Sequence, residues 1–470
     1  MYFYHAPNGR MLAIAGLRVS HEEVNEETKG KLIVRQIMPD HALGEVFSLQ
    51  LLGDTKTGLR PFTASPDSAF VEACKHLLDN TIFLEQQDLG TLLQDRRMKW
   101  HKPENWPGGK IPGDSEKWRS GKAFSFFQRP DSLRVGISKM GFTTCSADGG
   151  KTWSQPVVPP TLITGKAKVW GQVTADGLFA LAYNPTRRSR YPLVVVSSGH
   201  DAQHFGNMRV VQGELPRQRY PGAQRSVGPQ YTRGISEWSH DGSIQDDALW
   251  LVYSMSKEDI WVSRVPLPIT PEATPAVEDD FAKLPAGPHV IGWNTYQPRW
   301  TSVKVDGGRL RLANRDPYDY ASATRSFLPA KVVAIETEVT ASQADSGRLE
   351  IDVSSPSSAA VPVRIAFNSI GQIIAHVSGR AAVIGQYTAG RVCSLGITAD
   401  ASAKTFSVSI DGKIACKNAA FADDAALLQR IVFRTGERRN LGGNQPVDPA
   451  TDKPTAETSY AITRVIVRPL

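Results

Sequence analysis

The sequence predicts an all-β protein with two domains, a β-propeller followed by a β-sandwich. Residues 146–153 read as a self-contained hairpin tip, and the segments around them fall into units of four short strands separated by turn residues. After a Pro-rich stretch, alternating apolar strands return without this tip. The 470-residue chain is long enough to bury at least two cores.

The hairpin tip has the sequence Ser-Ala-Asp-Gly-Gly-Lys-Thr-Trp. Asp148 can accept backbone N–H bonds across the tip, and the two glycines can supply positive φ angles. The octapeptide matches the Asp box, S-x-D-x-G-x-T-W, and so resembles the hairpins of sialidase-like β-propellers. The resemblance implies a structural role, on the outside of the blades and away from substrate, for Ser146, Asp148, Gly150 and Trp153.

Three consecutive blades and one earlier unit can be set in register. The first blade is predicted at 123–128, 133–138 and 142–146 with a short strand through 158, the second at 168–173, 178–183, 191–197 and 208–212, and the third at 231–237, 249–254 and 260–265. The earlier unit is predicted at 2–5, 11–15, 32–37 and 46–51.

The third blade lacks a fourth strand, and the chain begins almost inside a strand without a secretory signal. Because propellers usually have four to eight blades, we expect that N-terminal blades are absent. The alternative is a small five-bladed ring that uses the insertion at about 53–120, which has helical spacing over 66–95 and a long loop over 99–122.

The predicted layout is a propeller at 1–269, a linker at 270–288 and a sandwich at 289–470. Strands are predicted in the sandwich at 348–353, 361–367, 372–377, 392–398, 405–410, 430–434 and 462–467. Their order resembles the concanavalin-like or laminin-G-like jelly rolls found beside propellers in glycan-degrading enzymes. Such a domain binds carbohydrate or braces the propeller, and the sequence leaves both roles open.

Composition and charge narrow the class of partner. The net charge of +7 suits an anionic partner, and because no Lys/Arg-dense run is interleaved with aromatic residues, an acidic oligo- or polysaccharide is favoured over nucleic acid. No run of about 18 apolar residues predicts a membrane span.

The four cysteines lack C-x-x-C spacing, which argues against a zinc site or a disulfide scaffold. Cys393 and Cys416 could pair, although isolated thiols are the simpler interpretation. No cofactor or bound metal is predicted, and a structural Ca²⁺ has no D-x-D-x-D-G loop to support it.

The blade register predicts a functional face. Loops between second and third strands, and those entering each first strand, should lie opposite the Asp-box face and there collect arginine, lysine, aromatic and amide side chains suited to a sugar acid. The predicted substrate-binding residues are Lys139, Lys168, Trp170, Gln172, Asn184, Arg187, Arg190, Gln230 and Lys257, and the predicted catalytic residues are Tyr231, Arg233, Glu258 and Asp259. The alternatives without a functional role are a solvated charged turn at 257–259 and an ordinary basic loop at 187–190.

Residues 119–269 resemble sialidase-like propeller proteins of a bacterial secreted group, in the stretches KVWGQVTADG from Lys168, RYPLVVV from Arg190, GPQYTRG from Gly228 and SKEDIWVSR from Ser256. The resemblance implies a secreted or periplasmic location. True sialidases also use an arginine triad, a Tyr-Glu nucleophile pair, an Asp general acid and an Arg-Ile-Pro motif, and that motif is absent here.

Three functions remain open. An exo-acting glycoside hydrolase needs carboxylates such as Glu258 and Asp259 or Glu237. A propeller-type polysaccharide lyase needs an Arg or Gln on the uronate carboxylate and a base, which Arg233 and Tyr231 could supply. A noncatalytic glycan-binding protein needs neither.

Overall fold

The computed structural model describes residues 2–17, 31–49, 58–79, 125–129, 131–137, 141, 143–148, 154, 162–164, 167–174, 176–186, 190–199, 204–220, 227–234, 247–270, 273–356, 360–439 and 446–470. These residues form two compact units. The first contains the described residues up to Met208 together with 228–234, 247–255 and 259–269. The second contains the described residues of 209–227, the turn 256–258, and the chain from Thr270 onward.

The N-terminal part of the first unit is a four-stranded sheet of order β1-β2-β3-β4 covered by one helix. Its elements are β1 (Tyr2–His5), β2 (Met11–Leu17), β3 (Lys31–Ile37), β4 (Phe47–Ser48), a 3-10 turn (Phe62–Ala64) and α1 (Ser68–Asp79). The helix begins after Asp67, whose Oδ1 accepts the backbone N–H groups of Ala69 (3.0 Å) and Phe70 (3.1 Å) and so caps it. Its apolar residues pack on the sheet with the predicted spacing, and burial raises the pKa of Cys74 to about 12.

Three further sheets of the first unit follow the predicted blades. They contain β5 (Ser125–Gln128), β6 (Arg134–Ile137) and β7 (Thr143–Ser146), then β8 (Trp170–Val173), β9 (Phe179–Tyr183), β10 (Leu193–Ser198) and β11 (Phe205–Gln212), then β12 (Pro229–Gly234), β13 (Ala248–Met255) and β14 (Asp259–Pro266). Each is an antiparallel meander, with orders β5-β6-β7, β8-β9-β10-β11 and β12-β13-β14. The first strands lie side by side, because β8 contacts both β5 and β12.

The second unit is a sandwich of two antiparallel sheets. Its strands are β15 (Val277–Asp280), β16 (Asn294–Tyr296), β17 (Thr301–Asp306), β18 (Arg309–Asn314), β19 (Ser322–Ala330), β20 (Val332–Ala341), β21 (Leu349–Ser354), β22 (Val363–Phe367), β23 (Gln372–Val377), β24 (Arg380–Gln386), β25 (Val392–Asp400), β26 (Thr405–Ile410), β27 (Lys413–Ala420), β28 (Leu428–Arg434) and β29 (Thr458–Pro469), with a 3-10 turn at Phe281–Lys283.

One sheet has the order β17-β18-β29-β20-β25-β26-β27, with β15 also paired to β29, and the other has the order β16-β19-β28-β21-β22-β23-β24. Alternate residues of both sheets, such as Val303, Ile351 and Phe433, are buried in one common core. All four cysteines are free thiols, and β26 lies between the strands of Cys393 and Cys416.

A buried ion-pair cluster ties residues 214–220 into the second unit. Arg219 donates to both oxygens of Asp316, at 2.8 and 2.7 Å, and also pairs with Asp452. The backbone N–H of Arg217 donates to Asp319, and burial raises the pKa of Asp319 although Arg439 opposes the rise. Such bidentate, fully satisfied pairs fix this segment in one geometry.

A second ionic cluster lies on the seven-stranded sheet. Asp352 accepts two hydrogen bonds from Arg364 (2.8 and 3.1 Å) and one from Arg434 (3.0 Å). Burial would raise the pKa of Asp352, but the positive charge of Arg434 and the hydrogen bonds of Arg364 outweigh it, and the pKa is lowered.

This lowered pKa predicts an acid-dependent loss of stability. A carboxylate whose folded pKa lies below its unfolded value of about 3.8 stabilises the fold above that pH, and its contribution is lost as the pH falls further. We expect Asp352→Asn to lower the thermal midpoint strongly at pH 7, since it breaks a buried pair worth about 3–5 kcal/mol. The deficit should shrink between pH 5 and pH 3. Calorimetry of both proteins across this range measures it, and a deficit that stays constant with pH would contradict the assignment.

Candidate functional site

The first strand of the third blade contains a β-bulge at Tyr231. Gln230 pairs with Ser254 and Arg233 pairs with Val252, so two residues of β12 stand opposite the single residue Tyr253 of β13. Tyr231 has a φ of +57°, in the left-handed region that bulky residues rarely adopt. Its side chain is 50% exposed, while Gln230 is fully buried. The bulge therefore turns the tyrosine ring out of the sheet.

Arg190 contacts both residues at the start of this bulge. Its guanidinium carbon lies 5.2 Å from the centre of the Tyr231 ring, and its Nη1 donates to Oε1 of Gln230 at 2.7 Å. A guanidinium over an aromatic face is an attractive cation–π arrangement. Arg190 is thereby held beside Tyr231 at two points.

The loop that holds Arg190 is fixed by Asn184 and Gly228. The Asn184 side-chain amide donates to the carbonyl oxygens of Arg190 (2.7 Å) and Pro192 (3.0 Å), and the residue is buried. Gly228 has a φ of +104°, and a Cβ there would lie 2.9 Å from the Arg190 carbonyl oxygen. Only glycine permits this approach of β12 to the Arg190 loop. Asn184, predicted to bind substrate, thus uses its side chain to hold the backbone carbonyls of the loop.

A second group forms where β8 meets the end of β12. The Arg233 guanidinium carbon lies 5.6 Å from the Trp170 ring centre, and Trp170 Nε1 donates to Gln172 Oε1 at 3.2 Å. A Cβ at Gly234 would lie 2.1 Å from Trp170 Nε1 and 2.4 Å from Gln172 Oε1. The indole and the amide therefore occupy the space that any side chain at position 234 would need.

Asp259 lies at the same end of the third blade as Tyr231. Pro229, Met255 and Asp259 follow one another across β12, β13 and β14, and Asp259 is exposed. Strands two apart in a sheet are separated by about 10 Å. The carboxylate thus belongs to the strand end at which the bulge begins.

Glu258 belongs to the second unit and has a different environment. Its Oε2 accepts the backbone N–H of Arg219 and its Oε1 accepts that of Tyr220, both at 3.0 Å. Both oxygens are therefore engaged by main chain. The neighbouring Ser256 and Lys257 have φ angles of +53° and +58°, so the turn 256–258 is held in an uncommon conformation.

The remaining predicted residues are placed as follows. Lys168 is half-buried in the segment that enters β8. Ser146 Oγ donates to Asp148 Oδ1 at 2.8 Å, and the backbone N–H of Ser154 returns to the Cys145 carbonyl at 2.7 Å. Lys139, Arg187, Gly150, Trp153 and Glu237 lie outside the described residues.

The described residues contain no group of three or more His, Cys, Asp or Glu side chains placed to hold a metal ion. In the same part of the chain, no helix is long and apolar enough to cross a membrane. The conspicuous chemistry is that of arginine, tyrosine, tryptophan and amide groups on β8, β12 and the Arg190 loop.

Comparison with known proteins identifies the architecture. Residues 293–453 match the family model of the sialidase-like CBM domain, and residues 1–102 match that of the BT_1020-like N-terminal β-propeller. No curated protein matches the sequence. A solved structure named Sialidase is 28% identical with a TM-score of 0.80, covering 99% of this chain and 42% of that one. The chain thus spans about two fifths of that sialidase.

Two other solved structures are much less similar. Alginate lyase Aly36B is 9% identical over 42% of this chain and 98% of its own, with a TM-score of 0.31. The sialidase of Trypanosoma rangeli is 11% identical over 77% of this chain and 63% of its own, with a TM-score of 0.26. The first solved structure and the two family models confirm the predicted fold class, a sialidase-like β-propeller followed by a β-sandwich.

The backbone at Tyr231 predicts an unusual order of stability. At a positive φ, glycine avoids the Cβ clash that alanine suffers, so Tyr231→Gly should be more stable than Tyr231→Ala by about 1 kcal/mol. At the exposed position Met208 in β11, which lacks a positive φ, the order should reverse. Denaturant midpoints of the four variants measure both differences. Alanine more stable than glycine at both positions would contradict the bulge.

The close approach at Gly234 makes a separate prediction. Gly234→Ala should overpack the contact with Trp170 and Gln172 and destabilise the first unit by about 1–3 kcal/mol. The matched control is Gly206→Ala, because a Cβ at Gly206 meets nothing within 4 Å. Equal denaturant midpoints for the two variants would show that β8 and β12 do not approach in this way.

Proposed function

We propose that this protein is a carbohydrate-active enzyme, an exo-acting glycoside hydrolase of the sialidase-like kind that acts on an acidic glycan. The observation that carries the proposal is Tyr231, turned outward by a bulge with a strained backbone and with the Arg190 guanidinium over its ring. Strained residues in a packed fold concentrate at functional sites. The 28% identical solved structure is named Sialidase, which supports the same reaction class.

Arg190 and Arg233 are proposed to bind the carboxylate of the sugar. Guanidinium groups match carboxylates in a planar, bidentate geometry, and both arginines lie on or beside β12. Gln172 uses its Oε1 to accept the Trp170 N–H, which orients its amide donors away from the indole. These donors and Lys168 extend the polar surface on which sugar hydroxyls would bind.

In the proposed hydrolysis, Tyr231 releases its phenolic proton to solvent water, its oxygen attacks the anomeric carbon, and the glycosidic C–O bond breaks. The leaving oxygen takes a proton from a general acid, for which Asp259 is the candidate at the same strand end. Water then cleaves the tyrosyl–sugar bond, and the phenol regains its proton. The charge of Arg190 would stabilise negative charge on the phenolic oxygen as it leaves.

A uronate lyase is the second candidate, and the environment of Glu258 favours it. Since both oxygens of Glu258 accept backbone N–H groups, the chain has one fewer carboxylate for a two-carboxylate mechanism. Elimination needs no such pair. Tyr231 would remove the C5 proton, Arg233 would neutralise the uronate carboxylate, and the glycosidic C–O bond at C4 would break to leave a C4–C5 double bond. The leaving oxygen would take that proton back from Tyr231, which returns to its starting state.

The remaining parts of the proposal concern partners and location. The partner is an acidic oligo- or polysaccharide, with no cofactor required for either reaction. A secreted or periplasmic location is proposed from the likeness to the sialidase. The glycan-binding role of the sandwich is proposed from its match to a CBM-domain family.

The reaction can be tested on sialylated and uronate-containing glycans, followed by absorbance near 235 nm and by released sugar. Released sugar without absorbance is the expected result, and an absorbance gain would replace hydrolysis by elimination. Tyr231→Phe should lower the rate about 100-fold or more in either case, because it removes the reacting oxygen. Tyr220→Phe is the matched control, an exposed tyrosine in the second unit that should retain full activity. A Tyr231→Phe protein as active as the wild type would refute the site.

A further inference from the structure

The seven-stranded sheet of the sandwich carries buried carboxylates on its outer face. Along β21, Leu349, Ile351 and Val353 point into the core. Glu350 and Asp352 alternate with them and so lie on the opposite face, yet they are 1% and 0% exposed. Charged groups on the outer face of a sheet are normally solvated, and burying them is costly unless they are fully paired. The pairing here comes from arginines.

Three arginines cover these two carboxylates. Arg434 Nη1 donates to both Glu350 (3.2 Å) and Asp352 (3.0 Å). Arg364 uses Nε and Nη2 on Asp352, and Arg348 uses Nε on Glu350 at 3.0 Å. The carboxylates thus fix the guanidinium planes of Arg364 and Arg348, whose side chains remain 19% and 24% exposed. Such fixed donors are pre-organised for a further acceptor.

His376 lies on the same face beside these arginines. Ala366 pairs with Ile374, so Arg364 and His376, each two residues from one member of this pair, share the outer face. The Nε2 atom of His376 is buried and has no hydrogen-bond partner within the described residues. Burial lowers the pKa of His376, and Arg364 and Arg348 lower it further, outweighing Glu350 and Asp352. The potential at this nitrogen is therefore positive.

Apolar side chains lie beside this region of positive potential. Ile374 lies next to His376 along β23, and its partner Val383 on β24 is exposed. Ala381, which pairs with His376, is small and exposed, whereas Ala366 is fully buried. One competing acid is near, since Glu437 lies 3.9 Å from Arg348 Nη1, but it is mostly exposed.

We propose that this face of the sandwich, defined by Arg348 and Arg364, binds the carboxylate of an acidic sugar. The carboxylate accepts hydrogen bonds from the outward N–H groups of the two partly exposed arginines, and the sugar ring lies on Ile374 and Val383. The site belongs to the second unit and is independent of Tyr231. It would recognise the charged sugar that the first unit is proposed to process, but its occupation requires no catalysis.

The test uses the full chain carrying Arg233→Gln, which weakens the proposed carboxylate site of the first unit. Calorimetric titration with D-galacturonate should show binding. Titration with D-galactose should show at least about tenfold weaker binding, because galactose lacks the carboxylate that accepts the charge-assisted hydrogen bonds. Adding Arg348→Gln should weaken galacturonate binding about tenfold, and adding Val383→Ser should also weaken it, because it removes an exposed apolar contact to the sugar ring. Arg311→Gln, a half-exposed arginine on the other sheet, is the matched control and should leave it unchanged.

Several outcomes would overturn the proposal. Equal affinity for galacturonate and galactose would show that the carboxylate does not contribute to binding. Sulfate binding as tight as galacturonate would show a general anion site instead of a sugar site. Unchanged affinity in Arg348→Gln and Val383→Ser, with thermal midpoints like that of the parent, would place the binding elsewhere. If Arg348→Gln does not fold, Val383→Ser alone decides, because Val383 is exposed and lies outside the core of the sandwich.

Discussion

The geometry of the candidate site depends on one extra residue in β12. Without it, the alternation of the strand would place Tyr231 and Arg233 on one face and Gln230 and Thr232 on the other. The bulge instead brings Gln230 and Arg233 to one face, opposite Ser254 and Val252 of β13, while Thr232 is buried and Tyr231 is half exposed. Arg190 contacts the amide of Gln230, just before the bulge, and the ring of Tyr231 within it. The strain at Tyr231 is supported by these contacts and by the pairing with β13 on either side.

Two glycines make the contacts around this bulge possible, and each works by lacking a Cβ. Gly228 admits the Arg190 carbonyl before the bulge, and Gly234 admits Trp170 and Gln172 after it. The strand is thus approached by the Arg190 loop at its start and by β8 at its end. A tyrosine in the left-handed region would cost of order 1–3 kcal/mol, and packing at both ends of the strand is what can hold it there.

The regular parts of the fold were predictable because their signals are local. Period-two alternation placed β21, β22, β23 and β26 to within two residues, and the spacing of Phe70, Ala73 and Leu77 predicted α1. The exposed strand β24 was missed, since its residues show no alternation of burial. β20 was not predicted, although every second residue along it is buried.

The site was predictable in its residue types but not in its geometry. The Gly-Pro-Gln-Tyr-Thr-Arg-Gly stretch predicted functional roles for Tyr231 and Arg233. The bulge, however, depends on the position of Tyr253 in the neighbouring strand, over twenty residues away in the chain. The role of Glu258 depends on Arg219 and Tyr220, nearly forty residues earlier in the chain. In a run of three charged residues, nothing local distinguishes a carboxylate held by main chain from one that faces solvent.

This distinction bears directly on the chemistry. A general acid needs an oxygen that can turn toward the leaving group, and the two backbone N–H groups on Glu258 fix both of its oxygens elsewhere. Asp259 is exposed and starts β14, two strands and about 10 Å from β12. The glycosidic oxygen that a general acid protonates is bonded to the carbon that Tyr231 attacks, so the side chains of Asp259 and Tyr231 have to reach across this gap toward a single bond. Hydrolysis by this site therefore requires the two side chains to converge, whereas elimination by Tyr231 requires no carboxylate beside it.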